Sequence, residues 1–161
     1  MSCEHKTSPI RSDRKKELWK INPSTAEQTK QISIEAKCQI NEPNFLKLKD
    51  LIISQGKEYE PRNGTYQMNA YDSLGNHIWG IELEANAIDL KAIRDIDNCF
   101  VAIYNNGKVK IHSSNDGEVI KELNQCLSVV NSRALCAATK DNIIAIGYDN
   151  GMIEILKIAL E

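Results

Sequence analysis

Apolar and polar positions along this chain change over in short runs, not in helical stripes. Residues 29–35 (TKQISIE) alternate polar and apolar, as a half-buried strand does. Residues 17–21 (ELWKI), 78–83 (IWGIEL) and 119–123 (VIKEL) read as further strands, and Tyr66, Met68 and Ala70 alternate before a turn cluster. Residues 99–104 (CFVAIY) and 143–148 (IIAIGY) are continuously apolar, the pattern of strands covered on both faces. Turn formers stand between these runs: 22–27 (NPSTAE), 72–76 (DSLGN) and 113–117 (SSNDG). Two stretches are less clear. Residues 87–96 (AIDLKAIRDI) suit helix or strand on propensity. Pro43 breaks 36–50, and Leu46 and Leu48 beyond it predict a short strand. Short strands bounded by turns make this an all-β chain.

One hairpin occurs twice. Tyr104-Asn105-Asn106-Gly107-Lys108-Val109-Lys110-Ile111 matches Tyr148-Asp149-Asn150-Gly151-Met152-Ile153-Glu154-Ile155. Asn-Gly suits a two-residue type I′ turn, in which both central residues take positive φ. A third pair, Asn63-Gly64, precedes Thr65 and Tyr66. Gly64 and Gly107 are 43 residues apart, and Gly107 and Gly151 are 44 apart. A period in the forties with several strands per period signals β-propeller blades. In that register the large aromatics Trp79, Tyr104 and Tyr148 pack between blades. The repeat also favours strand over helix for 87–96.

Particular residues resemble known propeller repeats. Ala70-x-Asp72-x-x-Gly75-x-x-x-Trp79 resembles the short repeat of quinoprotein-like (PQQ-type) propellers. Residues 19–27 (WKINPSTAE) resemble its longer form, with Ala26 where that family usually has Gly. Residues 111–121 keep the turn through Asp116-Gly117 but not the Trp. The Asn-Gly hairpins equally resemble WD40-like blades, although the Gly-His and Trp-Asp signatures are absent. The expected fold is a partial β-propeller of four-stranded antiparallel blades. Residues 1–16 form a flexible arm. Residues 17–35 end one blade, 43–84 and 87–124 are full blades, and 127–158 give three strands of another. About three and a half blades is fewer than the usual four to eight of a closed ring. The expectation is therefore a protein partner, or self-association, that completes the ring. Pairing of 18–21 with the last blade is the internal alternative.

Composition narrows function. The 161 residues carry a formal net charge of −2, so no basic field draws nucleic acid or an anionic membrane. The arm's Arg11, Arg14, Lys15 and Lys16 would make a weak, salt-sensitive nucleic-acid or import patch, and Thr7-Ser8-Pro9 a phosphorylation site; a solvated tail is the simpler reading. Five cysteines without a C-x-x-C pair fit a reducing compartment, cytoplasmic or nuclear. No apolar stretch reaches the roughly 18–20 residues that span a bilayer. The acceptor pattern Asn63-Gly64-Thr65 is then idle.

No catalytic constellation stands out. His77 and His112 read as exposed turn histidines. Cys3 and His5 are too few for a metal site. Asp72, Asp116 and Asp149 recur at turns, where carboxylates cap backbone donors more often than they bind calcium. A quinone cofactor would need a complete ring. The expected function is a non-catalytic scaffold for protein–protein interaction in a larger complex, with no cofactor. The alternative is a fragment or degenerate relative of a quinoprotein-like propeller enzyme.

Overall fold

The computed structural model describes residues 15–21, 25, 28–35, 39–57, 65–93, 98–123 and 131–158. Thirteen strands occur among them, and no helix. They are β1 (Lys15–Ile21), β2 (Gln28–Glu35), β3 (Gln39–Lys47), β4 (Leu51–Lys57), β5 (Tyr66–Asp72), β6 (His77–Leu83), β7 (Ala87–Ala92), β8 (Cys99–Tyr104), β9 (Val109–Ser113), β10 (Val119–Leu123), β11 (Ala134–Lys140), β12 (Ile143–Tyr148) and β13 (Ile153–Lys157). All pair antiparallel with their sequence neighbours, in sheets β1–β2, β3–β6, β7–β10 and β11–β13. The last three are successive propeller blades, called here first, second and third. The strand pair β1–β2 stands before them. Residues 87–92 are strand, as the repeat requires. β3 runs through Pro43, and its register with β4 shifts between Gln39 and Asn44 to accommodate the break. Residues 1–14 of the expected arm (residues 1–16), Asn63-Gly64 and residues 127–130 lie outside the described residues, as does the side chain of Trp19, while Lys15 and Lys16, expected in the arm, open β1.

Blade stacking makes the core. Every residue of β8 is buried. Phe100, Ala102 and Tyr104 face the first blade, where they join Ile53, Met68, Ala70, Trp79 and Leu83. Cys99, Val101 and Ile103 face the third blade, where they join Ile144, Ile146 and Tyr148. The alternation of a strand sends its residues to two opposite faces, and both faces are covered. A continuous apolar run follows. The most buried strand is the second of its blade; the innermost, β7, is only partly buried. Outer β10 is exposed along most of its length. The innermost strands pack on one another, β3 on β7 and β7 on β11.

The Asn-Gly turns differ from the type I′ expectation. The Gly107 N–H donates to the Tyr104 carbonyl (2.8 Å), and the Tyr104 N–H donates to Lys108 (2.9 Å). The loop is therefore three residues, with Asn105 and Asn106 central and Gly107 closing it at φ 84°. Asn106 does not take positive φ. Its Oδ1 accepts the Lys108 N–H instead (3.1 Å). The third blade repeats this, with Gly151 at φ 81° and Asn150 Oδ1 accepting from the Met152 N–H (3.0 Å). A type I turn closed by a left-handed glycine fits strand twist as well as a primed turn does. Asn contributes here by capping a backbone donor.

Gly107→Val and Gly151→Val should each destabilise the fold by about 1–3 kcal/mol, because a β-branched residue is strained at positive φ. A Cβ on Gly151 meets nothing within 4 Å, so its cost is backbone strain alone. Gly151→Asn should recover most of it. Urea denaturation checks this; unchanged midpoints for the Val variants would refute the left-handed assignment.

Candidate functional site

The seam between the first and second blades holds the densest cluster of aromatic and polar side chains among the described residues. Trp79 comes from β6, the outer strand of the first blade, and is 9% exposed. Its Nε1–H donates to the Ser114 carbonyl of the second blade (2.8 Å). Its ring lies nearly parallel to Phe100 (centroids 6.5 Å apart, 10° between planes). Phe100 stacks on His112, its cross-strand partner in β9 (5.4 Å, 15°). Beneath Trp79 sits Gly117 at φ 79°; a Cβ there would lie 2.7 Å from the indole Cζ3. The turn thus needs glycine twice, for its backbone and for the ring above it.

His112 is buried, and its neighbours set its tautomer. Nδ1 is 2.7 Å from the Gly117 carbonyl, which can only accept, so Nδ1 carries the proton. Nε2 then accepts from the Tyr104 hydroxyl (2.8 Å). The ring is neutral, and both nitrogens are satisfied. Burial holds its pKa below the usual value of 6.5; the Lys110 charge adds to this, and the Gly117 hydrogen bond opposes it. Burial also pushes the Tyr104 phenol well above its usual range, with help from Glu84 and Glu122. Tyr148 occupies the matching place in the third blade and donates to Glu154 Oε2 (2.6 Å). The expectation of an exposed turn histidine therefore fails for His112. Tertiary packing covers it, although a strand alternation carried past Lys110 puts it on the Tyr104 face. His77 is exposed, with Nε2 3.1 Å from Asn69 Oδ1.

The turn carboxylates serve the backbone. Asp72 Oδ1 accepts from the Leu74 and Asn76 N–H groups (both 2.8 Å). Hydrogen bonds, that from the Asn76 side chain foremost, hold its carboxyl below the usual range. Asp116 Oδ1 accepts from Glu118 (3.0 Å), and Asp149 Oδ1 from Arg133 (3.0 Å). Among the described residues no three His, Cys, Asp or Glu side chains converge as metal ligands do. At the outer surface Glu84 binds both Lys108 and Lys110, and Glu122 lies 3.5 Å from Lys110. Two lysines and two glutamates balance there, and exposed pairs of this kind each contribute little.

One turn also stitches blade to blade: the Asn105 carbonyl accepts from Ala134, the first residue of the third blade (3.0 Å). Within the blades, the Asn105 N–H donates to the Asn86 carbonyl (2.8 Å) and the Asp149 N–H to that of Arg133 (2.9 Å), each extending the ladder of the two inner strands. Beyond these turns the far face of the third blade exposes Ile153 and Ile155 at 72% and 71%.

Trp79→Ala should cost about 3–5 kcal/mol, the range for removing a large buried aromatic. In a Trp19→Phe background, Trp79 emission should be blue-shifted relative to free tryptophan; emission like that of free tryptophan would overturn the seam. The pH dependence has a definite sign. An unfolded His112 binds a proton more readily than the folded one, so its contribution is present above about pH 6.5 and is lost as pH falls through the folded-state value. Stability measured from pH 7.5 to 5 should fall more steeply in the wild type than in His112→Gln.

No family model matches the chain, and no curated protein matches it in sequence. Solved structures do resemble it. BamB from Moraxella catarrhalis, a PQQ-like propeller, superposes on 82% of this chain and 38% of its own, at 15% identity and TM-score 0.55. Sqt1 from Saccharomyces cerevisiae, a WD40 propeller, covers 90% and 42% at 9% identity and TM-score 0.58. The WD40 domain of Pan2 from Neurospora crassa covers 70% and 31% at 18% identity and TM-score 0.50. The chain spans less than half the length of each of these three. The likeness is one of fold, and in fold the chain is a partial β-propeller of WD40-like and PQQ-like blades.

Proposed function

We propose that this protein is a non-catalytic propeller scaffold that binds other proteins, working in the cytoplasm or nucleus. The observation that carries this reading is the apolar far face of the third blade, with Ile153, Ile155 and Leu135 open to water. Exposed apolar surface of this kind on a rigid sheet marks a protein contact. The polar groups of the blade seam support it too: Trp79, Tyr104 and His112 are spent on one another and on backbone carbonyls. The Trp79 bond ties two blades together, and the Tyr104–His112–Gly117 bonds lie within the second blade. The unbridged thiols Cys99 and Cys136 suit a reducing compartment. On this reading a partner chain or a second copy covers the apolar face and completes the ring.

The alternative is a relative of quinoprotein-type enzymes, favoured by the Ala70-x-Asp72-x-x-Gly75-x-x-x-Trp79 repeat and the likeness to BamB. Two measurements separate the readings. Affinity purification of the tagged chain should yield co-purifying proteins that Ile153→Lys releases. Calorimetric titration with a quinone plus calcium should give no saturable heat. Saturable heat, or an unchanged set of captured proteins, would overturn the scaffold.

A further inference from the structure

We propose that the Asn-Gly turns of the second and third blades are sites of spontaneous modification, at which the asparagine side chain closes on the glycine nitrogen, and that Ser132 holds this reaction back at Asn150. The chemistry needs only water. The Gly151 backbone nitrogen attacks Cγ of Asn150. A new C–N bond forms and the Cγ–Nδ2 bond breaks. Ammonia leaves, carrying the proton that the glycine nitrogen gives up. Water then opens the five-membered imide at either carbonyl. One opening gives aspartate. The other gives isoaspartate, in which the main chain runs through Cβ and Cγ. Glycine favours closure because no Cβ shields its nitrogen. Asn106 and Gly107 can react in the same way.

Both turns prepare this chemistry and restrain it. Asn106 Oδ1 accepts the Lys108 N–H (3.1 Å), and Asn150 Oδ1 accepts the Met152 N–H (3.0 Å). Such a bond draws the side chain back over the peptide that follows it. The same N–H would meet the negative charge that builds on Oδ1 as the nitrogen attacks. The restraint is on the attacking nitrogen. The Gly107 N–H donates to the Tyr104 carbonyl (2.8 Å), and the Gly151 N–H to that of Tyr148 (3.1 Å).

The two copies differ at the nitrogen that must leave. Asn150 Nδ2 donates to Ser132 Oγ (2.8 Å). The backbone shows which residue stands there in the second blade. The Asp149 N–H donates to the Arg133 carbonyl as the Asn105 N–H donates to that of Asn86. Arg133 therefore matches Asn86, and Ser132 matches Ala85. Ala85 has no hydroxyl and is buried in the core of the first and second blades. The Asn150 amide is thus held at both ends, and its plane cannot turn towards the glycine nitrogen until one end lets go. Removing one neutral hydrogen bond should speed the reaction about two- to tenfold.

The products would alter each turn in its own way. An aspartate at 150 loses the Nδ2 donor and sets a second carboxylate beside Asp149. An isoaspartate lengthens the main chain of the loop, and loop length fixes the register of a hairpin. At Asn106 the same lengthening falls beside Asn105, whose carbonyl accepts the Ala134 N–H of the third blade (3.0 Å).

Peptide mapping by mass spectrometry, on the folded chain incubated at mildly alkaline pH, tests this. Peptides holding Asn106 and Asn150 should each gain the mass of oxygen in place of NH, as a mixture of aspartate and isoaspartate. Ser132→Ala should speed conversion at Asn150 about two- to tenfold and leave Asn106 at the wild-type rate. Ser132→Thr, which keeps a hydroxyl, should leave Asn150 close to wild type. An unchanged Asn150 rate in Ser132→Ala would overturn the role of Ser132. Equal acceleration by Ala and Thr, or acceleration of Asn106 as well, would overturn it too, since either marks a general loosening of the turn. A folded chain that converts at neither asparagine, while the urea-unfolded chain converts at both, would overturn the turns as modification sites.

Discussion

The second blade has two apolar faces, and a sheet with two apolar faces cannot stand alone in water. The second blade shows how the constraint is met. Its strand β8 sends Phe100, Ala102 and Tyr104 one way and Cys99, Val101 and Ile103 the other, and each set meets a neighbouring blade. Fully burying side chains of this size stabilises by roughly 1.5–3 kcal/mol each. No local hydrogen bond offers as much, so the stacking of blades dominates the fold.

Specific chemistry is added at the seam. Hydrophobic contact alone would let two sheets slide, because apolar surfaces are tolerant of register. Trp79 prevents this by donating to one carbonyl, Ser114, while its ring lies over Gly117 and beside Phe100. His112 then ties the Tyr104 hydroxyl to the Gly117 carbonyl inside the blade that receives the indole. Buried polar groups are costly unless paired, and these are paired completely. The third blade uses a plainer device, Tyr148 on Glu154. The repeats have therefore kept one backbone plan while changing the polar contact that locks it.

The same plan gives the exposed isoleucines their meaning. A pair of exposed isoleucines on a surface strand is unremarkable by itself. Ile153 and Ile155 differ because their counterparts one blade earlier, Val109 and Ile111, are wholly buried. The repeat turns an isolated surface observation into an internal comparison.

Strand alternation, turn-forming dipeptides and the spacing of Gly64, Gly107 and Gly151 are local properties, so the all-β class, the hairpins and the blade period could be read from the residues in order. Trp79 was legible as a packing residue because its size and the turn before it restrict where it can go. The finer geometry was not. Asn-Gly permits more than one turn, and the hydrogen bonds of Tyr104 with Gly107 and Lys108 select the three-residue form. His112 reads as a turn histidine in the sequence, because the partners its own blade supplies, Phe100, Tyr104 and Gly117, reach it only through strand pairing and the folded turn. What covers it comes from the stacking of blades, such as the 35-residue reach from Trp79 to Ser114. Contacts of that range depend on how sheets pack face to face, which strand periodicity leaves open, and only the tertiary structure decided them.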